Sequence, residues 1–411
     1  MADFLKVLSF AEAHAMVYGY AQAVVEAGRT AEELPLAEAL HRVLAQPLAA
    51  DRDQPPFARA TRDGFAGRAA EWGQGAVHVA GLVRAGESWA GGPLAEGACI
   101  EIMTGAPVPP DADCVVMVEH VERSGDRVAL SATRSIAAGD NIVTQGAEAA
   151  AGSVLLPAGT RLGAAGIAAA AGSGAATLKV RAKPRVAILA TGDELVPLHM
   201  KPRQWQIRNS NSYSLAAQVT ALGGEPRLYP PVADDADALQ AAIATAAGAC
   251  DLLLLSGGVS MGRFDLVEPA LEASGGTFEF TGVRMQPGKP LVFGALRDGA
   301  LPFFGLPGNP VSTLACFSLF VAPMLAALAG EAAYTLPWAL ARCAVAVPGR
   351  AGLTRFLPAK LSRSIESTSV QPLAWQGSGD TAAAARSDCF LVVPEGADLQ
   401  VGDIVTVLLQ A

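Results

Sequence analysis

Apolar residues recur at helical spacing over residues 8–28 (LSFAEAHAMVYGYAQAVVEAG), with a glycine at the exit, and this pattern predicts an N-terminal helix. ELPLAEALHRVLA carries a second helical pattern and predicts a helix over 34–45. From Pro55 to about Gly146 the texture changes to short β-type runs, VHVAGLV, ACIEIMTG, CVVMVEHVE and RVALSA, separated by Gly, Pro and Asp, which reads as a β-rich module. Residues 147–180 are rich in Ala and Gly, with no charge between Arg161 and Lys179, and either rejoin the first module or act as a spacer. From Pro184 to about Gly330, strands (RVAILAT, PRLYPPV, CDLLLLSGG, LVFGAL, LPFFGL) alternate with helices (NSYSLAAQVTALGG, DDADALQAAIATAAGA, FDLVEPALEASGG and an apolar helix from Pro310). That alternation predicts a doubly wound, mainly parallel sheet whose strand C-termini carry the site. The tail from 332 returns to short strands (RCAVAV, FLVVPEG, DIVTVLLQ) and predicts a small β barrel or sandwich.

Composition narrows the classes. With 411 residues, 51% hydrophobic and 17% charged, the chain is a packed multidomain protein and not a disordered one. A net charge of −9 and 6% aromatics argue against nucleic acid and acidic membranes. The six cysteines are scattered without a CxxC pair, so buried thiols in a reducing cytoplasm are expected and a Cys/His zinc site is not. MADFLKVLSF lacks a basic segment followed by an apolar core, so no signal peptide is expected. Residues 311–329 are uncharged and mostly apolar, but Pro323 and the missing basic flanks favour a buried core helix over a membrane span.

The chemistry is concentrated in loops. LLLLSGGVSMGRFD (252–265) runs from a buried strand through a glycine loop into a helix, and Gly258-Val259-Ser260-Met261-Gly262 matches the nucleophile elbow of serine hydrolases. That mechanism needs a later histidine, and the last one is His199, which argues against it. Backbone N–H groups at 257–262 converging on a helix start suit an anion instead. GVRMQPGKP is one residue too long for a P-loop and puts Pro290 where Ser or Thr would bind magnesium, which leaves Lys289 as a loop cation. No GxGxxG follows a strand. In LPGNP (306–310), Asn309 as N-cap and Pro310 at the first helical position make a well-formed helix start. Glu194 in TGDE, with Asp234, Asp235 and Asp265 at comparable sheet edges, makes a candidate site for magnesium bridging a phosphate.

MTGAPVPPDAD (103–113), TGDEL (191–195), SGGVSMGRFD (256–265), PGKP (287–290), GLPGNPVS (305–312) and GSG…FLVVPEG, in this order, resemble the molybdopterin molybdenumtransferase family, the MoeA-type molybdenum insertases, similar also to the C-terminal domain of gephyrin. The resemblance implies a multidomain α/β chain: an N-terminal helix (1–28), a small linking subdomain I (29–50 and 147–180), a β-rich insert, subdomain II (51–146), a central MogA-like molybdopterin-binding sheet, subdomain III (181–330), and a C-terminal β barrel, subdomain IV (331–411). It implies an elongated homodimer in the cytoplasm, converting adenylylated molybdopterin and molybdate to molybdenum cofactor and AMP with Mg2+. A molybdopterin adenylyltransferase and recipient molybdoenzymes or nucleotide-attachment proteins are the implied partners. Asp63, Thr104, Glu194, Asp234 and Asp265 fall on catalytic positions, with Glu194, Asp234 and Asp265 as the metal ligands. Gly257, Gly258, Ser260, Gly262, Lys289, Pro307, Gly308, Asn309 and Pro310 fall on cofactor-binding positions, and Asp63, Thr104 and Arg62 are expected on the molybdate side. The chain departs from the pattern at FARATRDGF, where Arg59 and Arg62 are gained, and at Gln286, where a lysine is usual and Arg284 stands two residues earlier. An adenylyltransferase and a non-catalytic cofactor carrier or scaffold remain the rival readings.

Overall fold

The computed structural model describes residues 6–27, 30–259 and 266–410. The chain forms two compact units and crosses between them four times: Met1–Gln46, Ala158–Gly163 and Thr177–Ala411 build one, Pro47–Pro157 and Ala164–Ala176 the other. The Ala/Gly-rich stretch is therefore divided between both.

In the larger unit a six-stranded sheet runs in the order Glu225–Leu228, Arg185–Ala190, Leu252–Ser256, Leu301–Leu306, Val292–Leu296, Thr277–Phe280. The first three pairings are parallel and the last two antiparallel. Successive side chains on a strand point to opposite faces, and here both faces are covered. Val186, Ile188, Leu252, Leu254, Phe304 and Leu306 pack on one side against helices Phe10–Ala27, Asn211–Ala221 and the apolar helix Pro310–Leu328. Ala187, Leu189, Leu253, Leu255 and Phe303 pack on the other against Ala236–Ala247 and Val267–Ala273. The strands read as unbroken apolar runs for that reason.

The N-terminal helix starts at a capping box: the Ser9 backbone N–H donates to Glu12 Oε2 (2.8 Å) and the Glu12 N–H donates to Ser9 Oγ (3.2 Å). The 34–45 helix is not formed. Ala31–Pro35 is instead a strand antiparallel to Thr177–Arg181, followed by a single 3-10 turn at Leu36–Glu38. Pro35 contributes no N–H donor, and Val43 and Leu44 bridge to Arg161 and Val180, so the apolar positions are claimed by β pairing. Pro310–Leu328 is 89% buried, and its uncharged composition reflects burial on all sides. A π turn at Phe317–Val321 precedes Pro323, whose ring would clash with the carbonyl four residues back in a regular helix.

The C-terminal part of this unit is a closed five-stranded barrel. Its order is Thr354–Arg363, Thr368–Pro372, Trp338–Cys343, Ile404–Leu409, Cys389–Val393, and the last strand returns to the first. Gly282–Gln286 joins it through Met285 and Gln286, opposite Thr354 and Arg355.

The β-rich unit centres on a sheet ordered Cys114–Met117, Gly64–Gly67, Ala98–Ile102, Val77–Val83, Arg127–Leu130, Val121–Ser124. It too is buried on both faces, with Ala66, Ile100 and Val115 on one and Phe65, Cys99 and Val116 on the other. A Cβ on Gly64 would stand 1.9 Å from the Val116 carbonyl oxygen, so only glycine permits this pairing. All six cysteines are buried, and burial pushes Cys99 and Cys114 up to about 12, which leaves them unreactive as nucleophiles.

Phe320, fully buried against Phe10 and Phe280, tests the claim that the apolar helix is core. Phe320→Ala is expected to cost about 3–5 kcal/mol in denaturant unfolding.

Candidate functional site

Three loops leave the C-terminal ends of adjacent parallel strands: Thr191-Gly192-Asp193-Glu194 after Arg185–Ala190, Gly257-Gly258-Val259 after Leu252–Ser256, and Pro307-Gly308-Asn309 after Leu301–Leu306. Ladder hydrogen bonds run to the strand tips, from Thr191 N–H to Ser256 O (3.1 Å) and from Gly257 N–H to Leu306 O (3.1 Å). Asn211 Nδ2, buried at the start of its helix, donates to Ser256 Oγ (2.9 Å) and to Gly308 O (2.8 Å), joining the second and third loops. Gly257 has φ +96°, and a Cβ there would lie 2.5 Å from the Thr191 carbonyl oxygen. Glycine at this position is a packing requirement.

Acidic groups sit on the first loop's side of this edge. Thr191 Oγ1 donates to Asp234 Oδ1 (2.8 Å), the Asp234 N–H donates to Asp193 Oδ1 (3.2 Å), and the exposed Glu194 accepts through its carbonyl from Ile207 N–H (2.8 Å). Asp235 is used differently: its carboxylate caps Ala236–Ala247 by accepting from Ala238 N–H (2.8 Å). Ser260, Gly262 and Asp265 lie outside the described residues. Among the described residues no group of three His, Cys, Asp or Glu could hold a metal ion. Asp193 and Asp234, joined through the Asp234 N–H, are hard oxygen donors of the kind magnesium takes, usually one or two protein carboxylates with water and substrate phosphate completing the shell.

The third loop also borders a cavity of about 240 Å³, lined by Lys289, Pro307, Asn309, Ser312, Trp375 and Ser378. Asn309 occupies the N-cap position with Pro310 following, but its side chain makes no cap hydrogen bond. The Val311 N–H donates instead to Ser378 O (2.9 Å), which ties the helix start to the barrel loop. The Lys289 carbonyl accepts from Val283 and Leu291 N–H (2.9 and 3.0 Å), so its backbone is pinned while the side chain is exposed. Two barrel arginines flank Gln286: Arg350 Nη1 donates to Gln286 Oε1 (3.4 Å), and Arg355 is its register partner, with a buried Nε that has no hydrogen-bond partner among the described residues. Arg284 does not replace the missing lysine. Its guanidinium lies 3.7 Å from Glu12, across from Val7 O. Ser378, Trp375 and Arg355 escape sequence reasoning because only the barrel's position brings them to the loops, whereas Ser312 closes the GLPGNPVS motif and is within reach of it.

In the β-rich unit, Asp63 and Thr104 form a pair of their own. The Thr104 N–H and Oγ1 both donate to Asp63 Oδ1 at 2.7 Å, and these bonds hold the exposed Asp63 carboxyl below its ordinary value. Arg59 is engaged with Glu148 (2.7 Å), and Arg62 is exposed. The predicted residues thus fall into three groups: Glu194, Asp234, Gly257, Gly258 and Gly308 at the sheet edge, Lys289, Pro307 and Asn309 lining the cavity with Pro310 starting the adjoining helix, and Asp63 with Thr104 on the other unit.

A doubly wound sheet with glycine loops at its strand C-termini, a β-rich insert and a terminal barrel make this a multidomain α/β protein. Family models match the MoeA N-terminal region (domains I and II) over residues 8–174, a probable molybdopterin binding domain over 187–327 and the MoeA C-terminal region (domain IV) over 340–410. Molybdopterin molybdenumtransferases from Synechocystis sp. and Bacillus subtilis are each 33% identical, over 88% and 92% of this chain and 90% and 89% of theirs. A molybdopterin biosynthesis MoeA protein of Pyrococcus horikoshii is 29% identical, with a TM-score of 0.79 over 98% of this chain and 100% of that one. The chain belongs to the molybdopterin molybdenumtransferase family and is an enzyme.

Because Asp63 is held below the unfolded-chain value of ~3.9, its contribution to stability is present above that pH and lost as pH falls through the native pKa. Thr104→Val removes the hydroxyl donor, and an NMR titration is expected to show the Asp63 pKa moving up toward the ordinary value.

Proposed function

We propose that this chain transfers molybdenum from molybdate into adenylylated molybdopterin, releasing AMP with Mg2+, as the final insertion step of molybdenum cofactor synthesis. The observation that carries the reading is the third loop. Gly308 belongs to the acidic sheet edge, while Pro307 and Asn309 line the cavity with Lys289, so one ligand can span both. Glu194, Asp234 and Asp265 would hold magnesium, which when bound offsets the charge on the anhydride oxygens. Backbone N–H groups of the glycine loop beyond Gly257, whose own N–H is bonded to Leu306 O, would donate to phosphate oxygens.

Molybdate, a tetrahedral dianion, is better served by the Lys289, Ser312 and Ser378 cavity than by Asp63. An ionised carboxylate repels a dianion, whereas an ammonium and two hydroxyls supply donors. Asp63, an acceptor held in place by Thr104, suits the N–H groups of a pterin ring. A homodimer is part of the proposal, as are an adenylyltransferase upstream and a cofactor-receiving protein downstream.

The test is AMP release from purified protein given adenylylated molybdopterin, molybdate and magnesium. Glu194→Ala and Asp265→Ala are expected to lower turnover by about 10²-fold or more, the order seen when one transition-state electrostatic partner is removed. Lys289→Ala is expected to raise the molybdate KM. Molybdate-independent AMP release would point to the adenylyl chemistry alone, and tight pterin binding without AMP release to a carrier.

A further inference from the structure

Between Glu194 and Glu225 the chain carries no acidic residue, although the protein as a whole is at −9. The same stretch holds His199, Lys201, Arg203 and Arg208 within ten residues, on the excursion between strand Arg185–Ala190 and helix Asn211–Ala221. Trp205 stands among them and is 81% exposed. An exposed indole flanked by cations offers an apolar face and a polar edge to a planar ligand.

The backbone that carries this indole is held in place. The Gln206 N–H donates to Arg203 O (3.1 Å) and the Arg203 N–H donates to Gln206 Oε1 (3.1 Å), closing a turn around Trp205. Two residues on, Ile207–Arg208 pairs in parallel with Leu195–Val196, and the Ile207 N–H bonds the Glu194 carbonyl. Two residues of chain span at most about 7 Å, so Trp205 is tethered beside the acidic tip proposed to face the anhydride.

We propose that Trp205 is the stacking platform for the adenine of the adenylylated substrate, with Lys201 and Arg203 attracting its phosphates. This rests on the proposed function above. A flat exposed π-face with flanking cations is the arrangement that binds a nucleobase by stacking and its phosphate by charge.

Calorimetric titration of the full chain with AMP and with ribose 5-phosphate, in magnesium buffer, separates base from phosphate. Trp205→Ala is expected to weaken AMP by about tenfold or more, the size of one base–aromatic stack, and to leave ribose 5-phosphate unchanged. Trp205→Phe is expected to retain most of the AMP affinity, which distinguishes stacking from a general disturbance of the loop. AMP affinity unchanged in Trp205→Ala, an equal loss for both ligands, or no AMP binding to the unaltered protein would each overturn the assignment. Molybdate-dependent AMP release measured on the same unaltered protein judges the proposed function separately: its presence beside an indifferent Trp205 rejects only the platform.

Discussion

The approach of Gly257 to the Thr191 carbonyl oxygen is the constraint on which the sheet edge depends. With 2.5 Å between that oxygen and the place a Cβ would take, any side chain at 257 would push two strand tips apart. The Thr191 N–H to Ser256 and Gly257 N–H to Leu306 bonds, both 3.1 Å, would then lengthen together. Asn211 would lose its simultaneous hold on Ser256 and Gly308, and Thr191 would no longer present its hydroxyl to Asp234. A single missing Cβ therefore sets the spacing of the acidic tip, the glycine loop and the third loop at once.

The third loop passes this geometry to the barrel. Its helix, Pro310–Leu328, is enclosed on all sides, and the buried Thr313 donates to Pro307 O (2.6 Å) and Asn309 O (3.1 Å), holding the loop against the helix's first turn. Because Asn309 does not cap its own helix, the Val311 N–H remains available and Ser378 takes it. That exchange brings the 375–378 loop over Lys289. The barrel loop is ordered in turn by Asp380, which accepts from Gln376 and Ala383 N–H (3.0 and 2.9 Å) and whose carboxyl is held below its ordinary value by those bonds.

The parts of the fold legible in the sequence are those where one local preference acts alone. Leu252–Ser256 reads as a buried strand because its residues are apolar toward both helical layers, and Ala236–Ala247 reads as a helix because Asp235 caps an alanine-rich run. Thr354–Arg363 is not legible. Pro358 interrupts its pattern, yet the strand tolerates it because proline still accepts, here from Leu373 N–H (2.9 Å). The 34–45 segment misleads for the opposite reason: its helical period is real, but Leu34 and Leu44 pair with Leu178 and Val180, about 140 residues away, a contact no local pattern contains. At the site, Glu194 and Asp234 follow predicted strands and are found easily. Ser378 and Arg355 come from a separate layer and become neighbours of Lys289 and Gln286 only through barrel closure.

That layering also bears on the apparent conflict between a chain at −9 and the anion site proposed for it. Screening limits exposed charges to about 8 Å at physiological ionic strength, so local arrangement outweighs the total. Charges are grouped by loop, with Lys201, Arg203 and Arg208 on the excursion beside the acidic tip. Asp193, Glu194 and Asp234 gather at one end of the loop cluster, where the proposed magnesium would offset their charge, while Lys289 and the arginines beside Gln286 gather around the other. Gln286 itself can be neutral because Arg350 and Arg355 already supply cations from the barrel. The adenylylated ligand proposed above would meet carboxylates near its phosphoanhydride and the Lys289 ammonium near its metal-accepting end, which would favour one orientation over the other.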